Sequence, residues 1–193
     1  MHILLCLATV ALVSAQGFSI TAFSPGSTVD GAQIQAADNG FYTGISGPST
    51  YCPILPSVSC PEVVGTLVAS FMEAMAVMVP GGQQIYVSSN GQVKYTQPHS
   101  AYVPPGSITG GWHNKTVVSD CLEPSQRGVL DFSDGSDGGG VTLCPDVPAE
   151  MRGSGASLVL YVKTGNFNLT NCVDIVGLTL TETIFEYGCW EYL

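Results

Sequence analysis

Positive charge is scarce in this sequence. Five Lys and Arg stand against fifteen Asp and Glu, for a formal charge of -10, and only 10% of the 193 residues are charged at all. A nucleic-acid-binding surface must neutralise a row of phosphates, and five scattered cations do not supply one. The same deficit argues against docking on anionic membranes. The chain also lacks the Ala, Glu, Lys, Leu and Arg enrichment of helical bundles, and it lacks the low hydrophobicity of disordered chains, since 45% of its residues are hydrophobic. Catalytic signatures are missing as well: there is no G-x-S-x-G, no H-E-x-x-H, and no Gly-rich loop ending in Lys-Ser/Thr. What the sequence does have is 23 Gly and 12 Pro, the punctuation of many short strands. The expectation is an acidic all-β domain, large enough for a real core and small enough to be one folding unit.

The start of the chain reads as an address. Met1-His2 precede the apolar run from Ile3 to Val13, and Ser14 and Ala15 supply small residues for signal peptidase. The run is far below the roughly 20 residues that a membrane-spanning helix requires. Residues 1–15 are therefore expected to be a cleaved secretory signal, and residues 16–193 a single extracellular domain. The segment Phe185–Leu193 carries two glutamates and no hydrophobic tail, so no lipid-anchor signal is expected there.

Cysteines and sequons agree with secretion. Without Cys6, six remain: Cys52, Cys60, Cys121, Cys144, Cys172 and Cys189. An even count in an oxidising compartment predicts three disulfides. Cys52-Pro53 and Cys60-Pro61 flank a proline-stiffened loop, which favours a local Cys52–Cys60 bridge. The other four can pair as Cys144–Cys172 with Cys121–Cys189, although spacing alone does not choose. A zinc site is the rival reading, but there is no CxxC pair and His99 and His113 have no ligand spacing. Asn114-Lys115-Thr116 and Asn168-Leu169-Thr170 are sequons, and both Asn114 and Asn168 are expected to carry glycans on surface loops.

Strand signals recur along the chain. Gln33–Ala36 and Phe41–Thr43 flank an Asn39-Gly40 turn. Gln83–Val87 and Gln92–Thr96 form a clearer hairpin, with Ile85 and Val87 on one face and Val93 and Tyr95 alternating with Gln92 and Lys94. Leu158–Val162, followed by Lys163–Asn166 and Phe167, is a third and weaker unit. The stretch Val63–Val79 fits a helix with Val64, Val68, Phe71 and Met75 on one side, and fits equally two strands, Thr66–Phe71 and Ala74–Val79, stopping at Pro80-Gly81-Gly82. Pro98–Ser107 suits an edge strand leading to a turn, and Asp131–Gly140 an acidic surface loop. Val173–Leu180 and the segment through Ile184, Phe185 and Trp190 read as strands closing the core. Together these predict an all-β, single-domain antiparallel β-sandwich, disulfide-stapled, with a β-trefoil as the alternative suggested by three turn-bearing units.

Candidate chemistry is thin. His99 and His113 are the only histidines after processing and either has the titration range of a general base, but a lone His is more often structural. Asp131, Asp134 and Asp137 are spaced i, i+3, i+6, which does not match a calcium loop. Trp112 with the Tyr95/Tyr102 pair is a candidate sugar-stacking platform, against a bland reading of aromatic core. No catalytic residue, metal or cofactor is expected.

Two long blocks carry a resemblance. Pro80-Gly81-Gly82-Gln83-Gln84-Ile85-Tyr86-Val87 and Tyr95-Thr96-Gln97-Pro98-His99-Ser100-Ala101-Tyr102-Val103-Pro104-Pro105-Gly106-Ser107, with Cys52-Pro53 and Cys60-Pro61 before them, resemble the filamentous-fungal PhiA-type cell wall proteins, a group also labelled IgE-binding. The resemblance is strong over Phe41–Gly111, fair over Phe18–Gly40 and thin afterwards. Leu143-Cys144-Pro145 lacks the Trp expected just after it, and Cys121 and Cys189 look like an added pair. The resemblance implies a secreted, non-enzymatic, cell-wall-associated protein linked to phialide and conidium development, with wall polysaccharide or wall proteins as partners. It also favours strands over helix for Val63–Val79. A host-directed effector or antigen, or a lectin-like carbohydrate binder, are the alternative functions.

Overall fold

The computed structural model describes residues 16–69, 71–120, 125–135, 139–149 and 157–193; the expected signal at 1–15 lies outside them. Short hydrophobic segments between Gly and Pro turns fold as strands, and the described residues contain no α-helix. In chain order the strands are β1 (Phe18–Phe23), β2 (Gln35–Ala37), β3 (Gly40–Thr43), β4 (Thr50–Tyr51), β5 (Leu67–Ala69), β6 (Ala74–Met75), β7 (Ile85–Val87), β8 (Val93–Tyr95), β9 (Trp112–Val118), β10 (Gln126–Phe132), β11 (Val141–Cys144), β12 (Leu158–Val162), β13 (Val173–Ile175), β14 (Gly177–Glu182) and β15 (Glu191–Tyr192).

They form two main sheets. The first has the order β6-β5-β1-β14-β10-β9; the second has the order β13-β11-β12-β3-β8-β7, with β2 added beside β3, and β15 pairs β4 separately. The ladders are antiparallel, as Phe18↔Glu182 in the first sheet and Val141↔Val162 in the second illustrate. Alternate residues decide which way each strand faces. Ile20 and Ala22 of β1, Leu130 and Phe132 of β10 and Leu178 of β14 meet Phe41, Val87, Val93, Leu143, Leu160 and Val162 from the second sheet in one core. This is a sandwich. The second sheet is buried on its outer face too, where Tyr42, Cys144, Val159 and Tyr161 pack under Phe167, Leu169 and Cys172. A fully buried large apolar side chain contributes about 1.5–3 kcal/mol. An exposed ion pair such as Lys163–Asp174, at 2.6 Å, is worth about 0–1 kcal/mol, so the alternating core holds the layers together.

Several local expectations are corrected. The first hairpin turns at Asp38-Asn39, both at positive φ (46° and 53°), with Ala37 paired to Gly40. That is the two-residue turn whose twist matches its strands, one position earlier than the Asn39-Gly40 reading. Leu158–Val162 pairs with β11 and β3 while Phe167 stays in a loop, so the three units build no trefoil. Within Val63–Val79 the strand reading holds over the helical one, as strand β5, a reversal and strand β6: Phe71 and Met72 take positive φ (55° and 65°), which a helix does not accommodate. Pro98–Ser107 forms no strand, since its prolines have no N–H for a ladder. Asp131 belongs to β10, is 8% exposed and pairs with Lys115 at 2.9 Å, and is no surface-loop residue. Ile184 is 95% exposed and does not close the core.

The cysteines divide. Cys52 is bonded to Cys60 and Cys144 to Cys172. Of the third expected bridge, Cys121–Cys189, Cys189 is a free thiol, 1% exposed within the main core, and Cys121 lies outside the described residues. The backbone at Cys189 bridges Val77, and its side chain is buried in the main core.

Candidate functional site

The two sequence blocks that carry the resemblance also build a cleft. In the β7–β8 hairpin Ile85 and Val87, Val93 and Tyr95 all enter the core. By strand alternation the cross-strand pair Tyr86↔Lys94 must then face outward. The chain after β8 crosses in front of this pair through Gln97, Ser100, Tyr102 and Pro104 and encloses a cavity of about 310 Å³. Asn39, from the β2–β3 turn, lines the cleft beside Lys94.

Local chemistry fixes these walls. The Gln83 side chain, 1% exposed, donates to the Thr96 carbonyl (3.0 Å), and the Gln84 N–H donates to Thr96 Oγ1 (3.0 Å). Pro98, Pro104 and Pro105 stiffen the crossing loop by fixing φ. Within that loop the Tyr102 N–H donates to Ser100 Oγ (3.2 Å). Tyr102 is 68% exposed and Tyr86 7%, so one phenol projects at the rim and the other is set into the wall. Burial pushes the Tyr86 hydroxyl above its ordinary range, and the neighbouring Tyr102 adds to the effect. The buried Oδ1 of Asn39 has no hydrogen-bond partner. An unpaired buried acceptor costs about 1–3 kcal/mol. The lining thus includes three tyrosines, two amides, two aliphatic hydroxyls and one ammonium group, a set suited to a polyhydroxylated neutral or weakly acidic ligand.

The sequence-predicted platform is not assembled as expected. Tyr95 is 1% exposed and stacks edge-on against Phe41 at 5.5 Å, with its hydroxyl donating to the Leu193 carbonyl at 2.7 Å. Trp112 packs edge-on against Phe132 at 5.3 Å and does not line this cleft. Tyr95 and Tyr102 of that trio line the cleft, Tyr95 as a buried part of its wall, and Tyr86 joins them there. Tyr86 was legible only as a strand residue, because alternation marks it as outward-facing without saying what covers it. His99 is an exposed loop residue with φ of 59°, and His113 is exposed on β9. Asp134 accepts from the Gly165 N–H at 3.3 Å, while Asp137 lies outside the described residues. Asn168 is exposed in the loop after β12; Asn114 is exposed too, but on strand β9 and not in a loop.

Among the described residues no helix is long and apolar enough to cross a membrane. No solved structure matches the chain. A protein of the fungus Arthroderma benhamiae, described as an uncharacterized secreted protein, is 32% identical over 174 residues, spanning 90% of this chain and 84% of the relative. The family model described as PhiA-like secreted protein matches residues 18–192, extending through the C-terminal third where the motif resemblance thins. From β1 to β15, the chain belongs to the family of PhiA-like secreted proteins.

Proposed function

We propose that this protein is a non-catalytic component of the fungal cell wall that holds wall polysaccharide in the Tyr86–Tyr102 cleft and contributes to wall structure during phialide and conidium development. The observation that carries this reading is the cleft itself: an exposed phenol at the rim, a second in the wall, and amide and ammonium groups between them. Sugars present apolar C–H faces and hydroxyl edges, so aromatic rings supply contact area and amides supply orientation. The fixed prolines keep the ordering cost of binding low.

Co-sedimentation of the secreted protein with insoluble chitin and β-glucan tests the reading, together with the location of an epitope-tagged copy. Retention on at least one polysaccharide, lost on Tyr102→Ala, and label in wall extracts and conidiophores are expected. A protein found only in the culture fluid, with no retention and a normal deletion strain, overturns it.

A further inference from the structure

The second feature of the molecule lies on the other sheet. β9 is an edge strand of the first sheet, and Asn114 is exposed midway along it. Its register partner is Leu130, so its side chain shares the face that carries Leu130 into the core side of the sheet. Thr116 stands two residues on and therefore projects on the same side. Sequon asparagine and hydroxyl thus present together on an accessible edge.

Two neighbouring cavities open around Asn114. One, of about 410 Å³, is walled mainly by Phe18, Phe71, Leu130, Leu178 and Leu180. The other, of about 230 Å³, adds polar groups from Glu73 and His113. Asn114, Phe71 and Leu130 line both. Phe71 is 56% exposed and held at φ of 55°, an uncommon conformation for a bulky residue, with its ring left half open to water. An apolar groove with an open aromatic ring calls for a cover. The covalent attachment point for one is already in its wall.

We propose that Asn114 carries an N-linked glycan whose first acetamido sugar folds back over Phe71 and the Leu130–Leu180 wall, roofing the apolar groove. The C–H face of the sugar covers the ring, and its hydroxyl and acetamide edge faces the cleft that holds Glu73 and His113. Because the sugar is tethered, its effective concentration is in the millimolar range or above, and a weak contact suffices to hold it. Asn168 lines neither cavity, so a glycan there has no such roofing role.

The test uses full-length protein secreted from a fungal host, in an Asn168→Gln background so that one glycan remains. Peptide mass mapping reads occupancy at Asn114. Endoglycosidase H then trims the glycan to its first sugar, and peptide N-glycosidase removes it entirely. Trimming is expected to leave the unfolding midpoint unchanged, whereas complete removal lowers it by about 2–4 °C and increases fluorescence of an apolar dye. In Phe71→Ala, the difference between trimmed and stripped protein should vanish; this control also cancels the aspartate that the second enzyme leaves behind. An unmodified Asn114, equal midpoints and dye signals for trimmed and stripped protein, or the same loss in Phe71→Ala, overturns the proposal.

Discussion

Gln83 and Tyr192 hydrogen-bond in both directions, side-chain amide to main chain: Gln83 Nε2 donates to the Tyr192 carbonyl at 2.9 Å, and the Tyr192 N–H donates to Gln83 Oε1 at 2.9 Å. One buried side chain thus imitates a strand neighbour for β15, 109 positions away. The Tyr192 hydroxyl completes the tie by accepting from the Leu67 N–H (2.8 Å) and donating to the Gly65 carbonyl (2.9 Å).

Replacing Gln83 with Leu leaves the Tyr192 N–H and two carbonyls unpaired in the interior. The expected cost is about 2–4 kcal/mol, read as a fall in the urea midpoint with an unchanged slope. Gln83→Glu should be worse, because a carboxylate would face the Thr96 and Tyr192 carbonyls without a donor of its own. Equal stability of Gln83→Leu and wild type would refute the clamp.

Alkali should unfold the protein cooperatively. Burial pushes the Cys189 thiol from an ordinary 9.0 up to about 12, with the Tyr192 hydroxyl partly opposing. Burial likewise raises the phenols of Tyr95 and Tyr192, and that of Tyr161 with help from Asp146. The unfolded chain therefore sheds these protons first, so stability present below pH 9 declines as pH climbs towards 12. Phenolate absorbance from these three tyrosines should appear together with loss of the β-sheet circular dichroism. Below pH 9 the Cys189 thiol should resist alkylation until denaturant is added. Phenolate formation well before unfolding would contradict the burial of these tyrosines.

The two disulfides should differ in worth. Cys144–Cys172 closes a separation of 28 residues and Cys52–Cys60 one of 8, which predicts losses of about 3–4 and about 2–3 kcal/mol for the respective double alanine variants. Cys144 is fully buried, whereas Cys60 is exposed. Mild dithiothreitol should therefore open Cys52–Cys60 first, as mass mapping of alkylated peptides would record, with the smaller of the two falls in unfolding midpoint. Simultaneous reduction would refute the difference in access.

Tyr102→Ala should weaken polysaccharide retention by about tenfold or more, as removal of an aromatic anchor does. The same change should leave the unfolding midpoint within about 1 °C, because surface substitutions usually act within ±0.5 kcal/mol. Lost retention with a large midpoint shift would place Tyr102 in the scaffold and not in the binding surface.

The parts of this architecture that were legible in the sequence are the local ones. Alternation in Ile85–Val87 and Val93–Tyr95 reported the core face of the β7–β8 hairpin, and the prolines beside Cys52 and Cys60 reported a closed loop. Pairings across the whole chain leave no local trace. Nothing near Cys189 in sequence shows that its backbone pairs with Val77 and that its side chain joins the main core. Tyr95 looked as available as Tyr102, yet one sits in a strand with both neighbours paired and the other in a proline-bound loop. Asn39 reads as a turn former, a role it keeps, while its place in the cleft wall depends on a loop some sixty positions later.

The placement of β1 between β5 and β14 governs the order of events during biosynthesis. One hydrogen bond at its entrance, from Thr183 Oγ1 to the Gly17 carbonyl, spans 166 positions. Such non-local closure is slow, since the chain loses entropy before contacts reward it. The strand that enters the secretory lumen first waits with one edge unpaired until almost the entire polypeptide has followed. A nascent chain interrupted before Gly177 would hold Leu130 without Leu178 and β1 without its longest ladder. Arrival of β14, rather than of any earlier hairpin, is the step that gives β1 its longest ladder and commits this sheet to its native order.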